Sequence, residues 1–343
     1  MSTQLTAIEI LRTMSINNDV DKMRQNAKGS IHIAGRMALA GQMTVFYASP
    51  NVGKTLITLK LIAEAIANGK AGKHVYYLNL DDTYEGLITK ADLGNRYGFQ
   101  VISSDKFSSP NKDFAAMVDC LISEGTAAGT VFILDTIKKF VDVMDKKASS
   151  AFMNTCRRLT SAGGSIIALA HVNKHKDADD KGVPAGTSDV LDDCDCAYTV
   201  DLLSESETLE GIIRTVEFKN KKSRGSVVES AIYSYVKFHD SDYIRMFSSL
   251  KLIDGNEADK TRQKKSLDFE LKRDASLIKE IRTLLRRSGE LIQKNILSDL
   301  SSTSASRRKI RECLKRWSCP PDEGGLWTIT KGTHNSSIYT LNQ

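Results

Sequence analysis

The sequence predicts an α/β protein: one large domain on a mainly parallel sheet, then a small basic domain of three helices and a β-hairpin. Three observations predict it. Short apolar runs at residues 43–47, 75–80, 131–134 and 165–170 alternate with helix-period stretches, the rhythm of parallel strands joined by crossover helices. Two longer alternating runs, 211–218 and 227–238, are joined by the Lys-rich segment 219–226 and read as an antiparallel hairpin on the sheet edge. After residue 274 the pattern changes to three amphipathic helices and two short strands.

The chain has 343 residues, of which 41% are apolar and 26% charged, an ordinary globular balance rather than a disordered or fibrous one. No apolar run approaches the roughly 18 residues that cross a bilayer. The first ten residues lack the basic start and apolar centre of a secretory signal, so a cytoplasmic protein with no membrane partner is expected. Residues 1–40 form an N-terminal arm or helix with apolar Ile8, Ile10 and Leu11; the large domain covers 41–253. A charged stretch at 254–274 is the expected linker, and 275–343 the small domain. Six cysteines without a CxxC pair suit neither a disulfide framework nor a zinc site, and reduced thiols are expected. The net charge of +6 is unevenly placed: residues 257–343 hold 18 Lys and Arg against 11 Asp and Glu, and residues 1–256 hold 30 against 31. A basic excess confined to the last quarter points to a polyanion, for which phosphate backbone is the commonest source.

Residues 48–55 (Ala48, Ser49, Pro50, Asn51, Val52, Gly53, Lys54, Thr55) carry the strongest signal. An apolar strand enters the segment and a helix-period run (Leu56, Leu59, Ala63, Ile66) leaves it, the context a Walker A loop requires. Loop N–H groups and the helix N-terminus can surround the phosphates of ATP. Lys54 would then meet the β/γ-phosphates and the Thr55 hydroxyl a Mg2+ ion. The first position is Ala48 where the pattern has glycine, a difference of one methyl group. Residues 131–135 (VFILD) have the form of a Walker B strand, with Asp135 as the second Mg2+ partner. The strand at 75–80 ends in Asp81 and Asp82; Asp81 is the candidate general base, or else an ordinary turn acid. His171 follows the strand at 165–170, as a neutral sensor of the γ-phosphate or as a loop histidine.

Together with the run ALAHVNK…PAGTSDVLDDCDCAYTV at 168–200, these elements resemble the plasmid- and phage-type hexameric helicases of the RepA group, within the RecA/DnaB superfamily. The resemblance covers about residues 40–238. It implies a RecA-like P-loop NTPase core, a hexameric ring, and ATP sites shared between neighbours. The family's catalytic glutamate falls on Asp81, one methylene shorter. Its Lys-x-Arg finger, which serves the neighbour's γ-phosphate, falls on Lys219 and Lys221, with lysine where arginine is expected; Arg224 is a further candidate, slightly favoured because a guanidinium binds phosphate bidentately. A solvated basic turn is the alternative. Such rings hold single strands with two loops, here 137–149 with Lys138, Lys139, Lys146 and Lys147, and 175–187 with Lys176 and Lys181. Lysines without aromatics suit sequence-independent contact, although Asp177, Asp179 and Asp180 dilute the second cluster.

In the small domain, Leu277, Ile281, Leu284 and Leu285 share one helical face, and Leu291, Ile292, Ile296 and Leu300 another. The third helix follows a Ser/Thr-rich turn at 301–304. It buries Ile310, Cys313, Leu314 and Trp317 and opposes them with Arg307, Arg308, Arg311 and Lys315. Strands at 326–330 and 337–341 complete what resembles a winged helix-turn-helix domain, for which the basic residues are the expected duplex contacts; protein contact is the alternative. The expected activity is an ATP-dependent replicative DNA helicase of a plasmid, phage or other mobile element. The alternative is a DNA-bound ATPase that does not unwind, such as a loader, partition protein or regulatory switch.

Overall fold

A computed structural model of the chain describes residues 6–13, 15, 17, 20–21, 30–72, 74–176, 182–184, 188–301, 305–320 and 324–342. It divides into two compact units, Met1–Ala258 and Asp259–Gln343. The boundary lies inside the charged stretch expected as a linker. That stretch is not irregular: helix runs from Gly255 to Ser288. Its Lys, Arg, Glu and Gln side chains are good helix formers even where few apolar residues are present.

In the first unit, α1 (Ala7–Thr13) leaves Ile8, Ile10 and Leu11 exposed. A small antiparallel pair follows, β1 (His32–Ala34) and β2 (Ala38–Leu39). The main sheet contains β3 (Met43–Ala48), β4 (His74–Asn79), β5 (Gln100–Ser103), β6 (Thr130–Asp135), β7 (Ser165–Lys176), β8 (Gly182–Pro184), β9 (Cys196–Glu207), β10 (Gly211–Lys222), β11 (Ser230–Phe238) and β12 (Lys251–Leu252). The order across it is β12-β11-β10-β9-β3-β7-β6-β4-β5, with β8 on β7. Every pairing from β5 through to β9 is parallel. The β9, β10, β11 and β12 ribbon is antiparallel, as is β8 against β7.

Helices cover both faces, as a parallel sheet requires. They are α2 (Lys54–Ala67), α3 (Tyr84–Tyr97), α4 (Pro110–Ser123), α5 (Lys146–Ser161), the short α6 (Ser188–Asp193) and α7 (Tyr243–Ser249). Successive strand residues point to opposite faces, and the two cores follow that alternation. Ile133 and Ile167 pack with Leu56, Ile57 and Ile62 of α2. Phe132, Leu134 and Ile166 pack with Phe114 of α4 and Phe152 of α5. Among the described residues no helix is long and apolar enough to cross a membrane.

Several expected boundaries shift. The sequence places the hairpin turn at 219–226, but β10 runs to Lys222 and β11 starts at Ser230, so Lys219 and Lys221 lie in a strand. Pairing with β9 on the other side of β10 extends it past the last apolar residue. Likewise β7 continues beyond residue 170 to Lys176, so His171 lies within a strand rather than after one.

The second unit contains the greater part of α8 (Gly255–Ser288), then β13 (Glu290–Ile292), α9 (Gln293–Ser301), α10 (Arg307–Arg316), β14 (Trp327–Lys331) and β15 (Ser337–Leu341). Leu291 and Ile292, expected in the second helix, form β13 and pair with β15, which also pairs with β14. The core joins Ile281, Leu285, Ile296, Ile310, Leu314, Trp317 and Trp327. Asp274 is buried, accepting from Trp317 Nε1 at 3.1 Å and pairing with Arg316. The N-cap of α10 is Ser306, whose hydroxyl accepts from Lys309 N. In the turn expected to supply caps, residues 302–304 lie outside the described residues.

Candidate functional site

The carboxyl ends of the parallel strands finish nearly level. Asn79 pairs across to Asp135, Asp135 to Leu169, and Ala48 to both His171 and Val200. In open α/β sheets the crevice beyond these ends is where ligands bind. Here it measures about 380 Å3 and gathers Lys54, Thr55, Asp81 and Asp135 with Arg214 and Tyr243.

The loop rises from β3. Ala48 is fully buried as the last strand residue and has no positive φ, so the methyl group that departs from the glycine pattern is accommodated in the strand. Ser49 is half-buried and Pro50 exposed. Asn51 takes φ 63°, and its carbonyl accepts from Arg214 Nη1 at 2.7 Å. Val52 is buried, and its carbonyl accepts from the Tyr235 hydroxyl at 3.4 Å. Gly53 is needed for two reasons. Its φ is +95°, and a Cβ there would lie 2.8 Å from the Tyr235 ring. The helix of Lys54–Ala67 starts directly after it, so its free N–H groups open on the crevice.

Lys54 is only 9% exposed. Burial lowers its pKa from the ordinary lysine value, and the carboxylates of Asp135 and Asp81 oppose that shift. Thr55 donates its hydroxyl proton to Asp135 Oδ2 at 2.9 Å, and Tyr77 donates to the same oxygen at 2.7 Å. Tyr77 is fully buried, so this second bond fixes the carboxylate from below. One hydroxyl and one carboxylate side by side are hard oxygen donors suited to Mg2+, which takes its remaining ligands from phosphate and water. Among the described residues no three His, Cys, Asp or Glu side chains gather to hold a metal by themselves. Orphaned polar atoms also face this region: Thr136 Oγ1, Arg214 Nε and Tyr243 Oη are buried without a partner among the described residues. A polar ligand such as a nucleotide fits such a lining.

The two acids after β4 differ in their surroundings. Asp82 is committed: Lys90 pairs with it, Asn79 Nδ2 donates to it at 3.2 Å, and Thr83 N donates at 3.0 Å. Burial opposes its charged form, but these bonds prevail and hold its pKa below the usual carboxylate range. Asp81 is exposed and pairs with Lys139 Nζ at 3.0 Å. Lys138 and Lys139 occupy a 3-10 turn at Ile137–Lys139, immediately beyond Asp135, and Lys146 and Lys147 open α5. His171 is half-buried, its Nε2 without a partner among the described residues. Burial, then the nearby Lys54 and Lys138, lowers its pKa and keeps the ring neutral near pH 7.

The finger candidates lie elsewhere. Phe218 is level with Val200, and Val200 with Ala48, so β10 runs back along the sheet from Lys219 onward. Lys219 and Lys221 are exposed. Arg224 lies at the start of β3: it pairs with Asp195 Oδ1 at 3.1 Å, and Asp195 Oδ2 accepts from Met43 N at 3.0 Å. Five residues separate Met43 from Ala48, about 16 Å at roughly 3.3 Å per residue, so Arg224 is remote from its own loop. The side chain of Lys176, the last residue of β7, and all of Lys181 lie outside the described residues. In the second unit Arg307, Arg308, Arg311 and Lys315 are exposed on α10, with Arg308 paired to Glu312 at 2.9 Å.

Sequence reasoning missed Tyr77, Asn79, Lys90, Arg214, Tyr235 and Tyr243. Only Tyr77 and Asn79 carried a signal, as polar groups inside an otherwise apolar strand next to the candidate base.

No protein-family model matches the sequence, and no curated protein matches it. Among solved structures, one ATPase domain is similar with a TM-score of 0.48 and 13% identity, covering 70% of this chain and 99% of that one. At that level of likeness neither fold nor chemistry is carried over from it.

Proposed function

We propose that the chain is a RecA-like, Mg2+-dependent ATPase that works on DNA as the replicative helicase of a plasmid, phage or mobile element. The observation that carries this reading is the Thr55–Asp135 hydrogen bond at the mouth of a glycine-turned loop, with Lys54 buried beside it. Lys54 and the N–H groups of the helix Lys54–Ala67 would hold the β- and γ-phosphates. Thr55 and Asp135 would hold Mg2+, which neutralises phosphate charge. Tyr77 keeps Asp135 in place, Asp81 orients and deprotonates the attacking water, and neutral His171 can donate to the γ-phosphate.

The finger positions support a site completed by a second copy. Lys219 and Lys221 are exposed on the part of β10 that recedes from their own loop. A cation placed there suits the γ-phosphate of a neighbour, and related phosphoryl transfers gain roughly 10³–10⁵ in rate from such a group. A ring follows, of six copies by resemblance. The order helix, strand, helix, helix, hairpin, with the first strand on the last, supports a winged helix in the second unit. Its basic α10 offers Arg307, Arg308, Arg311 and Lys315 to duplex backbone, and Lys138, Lys139, Lys176 and Lys181 belong to the segments assigned to single strands.

One observation favours a second reading, a DNA-bound ATPase that does not unwind. Asp81 is a short acid held by Lys139, an arrangement suited to slow, gated turnover. Phosphate release with and without single-stranded DNA, followed by strand displacement on a forked duplex, separates the two. DNA-stimulated release with displacement supports the helicase; release without displacement supports the switch; no release on any DNA contradicts both.

A further inference from the structure

The last residues of β10 have little backbone support. Pairing with β11 ends at Lys219–Ser230, and from Asn220 to Lys222 only β9 continues, through a register shift. Side chains hold this end instead. Lys222 Nζ donates to the Leu191 carbonyl at 3.0 Å and also to that of Asp192, at the end of α6. Asn220 Nδ2 donates to the Lys222 carbonyl at 3.0 Å. Gln42 Nε2 donates to the Arg224 carbonyl at 2.7 Å. Gly225, at φ +110°, passes so close to Leu39 that a Cβ would lie 2.8 Å from its Cδ1.

The centre of this arrangement is Asp195, which is 3% exposed. One carboxylate oxygen accepts from Met43 N, and the other pairs with Arg157 at 2.9 Å and Arg224 at 3.1 Å. Arg157 also donates to the Asp193 carbonyl at 2.6 Å. A buried carboxylate is retained where cations and N–H donors satisfy it, and breaking one such partner exposes the full cost of the rest. The guanidinium of Arg224 is thereby already occupied.

We infer that Asp195, Lys222 and Arg224 anchor the hairpin end and thereby aim Lys219 and Lys221 at a neighbour's γ-phosphate. Arg224 is a positioning residue and not the phosphate ligand itself. This rests on the reading that Lys219 and Lys221 serve the next copy.

The test measures phosphate release and the affinity for a fluorescent ATP analogue in the assembled protein with single-stranded DNA. Variants are Arg224→Gln, Lys222→Met, Asp195→Asn and the pair Lys219→Ala/Lys221→Ala, each also mixed with Lys54→Ala subunits. Arg224→Gln and Lys222→Met should each lower kcat by roughly 10–100-fold, as misplacement of a catalytic group does, with nucleotide affinity unchanged. Mixing with Lys54→Ala subunits, whose hairpins are intact, should restore turnover above either protein alone. Asp195→Asn should behave alike, although it frees the Arg224 guanidinium. Turnover lost in Arg224→Gln but kept in Lys222→Met and Asp195→Asn would mean that Arg224 binds phosphate directly, overturning the anchor. Unchanged turnover in both Arg224→Gln and Lys222→Met overturns it as well. If Lys219→Ala/Lys221→Ala itself keeps full turnover, the neighbour-cation reading fails, and the anchor with it.

Discussion

The two compact units use charge in opposite ways. The first draws ionisable groups into a crevice: Lys54, Lys90 and Asp135 are each less than a tenth exposed, and each sits against an opposite charge or a hydrogen bond. The second keeps its cations outside, on α10, and buries a single acid, Asp274, beneath them. A buried site depends on few groups, so losing one removes most of the function. An exposed basic face works by summation, and each residue counts for little. The contrast teaches where single substitutions inform and where pairs are needed.

The largest effect is expected at the base. Asp81→Asn should cut turnover by roughly 10²–10⁴-fold, the usual worth of a general base, while leaving nucleotide affinity unchanged. Single-turnover phosphate release on bound Mg·ATP checks this, and turnover within about threefold of the unaltered protein would move the base elsewhere.

Next is Gly53→Ala, which forces a side chain onto a φ of +95° and into the Tyr235 ring. Strain of about 1–3 kcal/mol at the phosphate cradle should weaken ATP at least as much as it lowers the melting temperature. Titration calorimetry and thermal unfolding on the same sample measure the two.

In the second unit the comparable buried group is Asp274. Burial opposes its charge, but Trp317 and Arg316 hydrogen bonds outweigh that and lower its pKa. A depressed carboxyl contributes stability that is present above the unfolded value of about 3.9 and is lost as pH falls through the lower folded value. Denaturant unfolding of the second-unit transition should therefore be flat at neutral pH and weaken below about pH 4. Asp274→Asn should cost about 1–3 kcal/mol at pH 7 and flatten that acid limb; an unchanged limb would assign it to other carboxyls.

The smallest effect is on the exposed face. Arg307→Ala/Arg311→Ala should weaken duplex binding severalfold and reduce the slope of log affinity against log salt by roughly two. Fluorescence anisotropy over a salt series reads both, and an unaltered slope would give the face to a protein partner.

How far these features were legible follows the same division. The phosphate loop, Asp135, Asp81 and the alternation of strands and helices were readable because each is a local pattern with a mechanism. Residues that reach the site across the sheet were not. Arg214 comes to Asn51, and Tyr235 to Val52, through pairings that no local pattern encodes. The extra length of β10 was hidden because its last residues are polar and their pairing with β9 is long-range. Leu291 and Ile292 fit a helical face as well as a strand, and only β15 as a partner decides between them. Residue type alone favours Arg224 as the phosphate ligand; its contact with buried Asp195, long-range in sequence, reverses that preference.

The most direct test is the equilibrium affinity for Mg·ATP of the unaltered protein and of Lys54→Ala, measured by calorimetry with and without single-stranded DNA. The account predicts saturable binding that requires Mg2+ and falls by about tenfold or more in the variant, about 1.4 kcal/mol per tenfold. Equal affinity in the two proteins, or no binding in either, would contradict it.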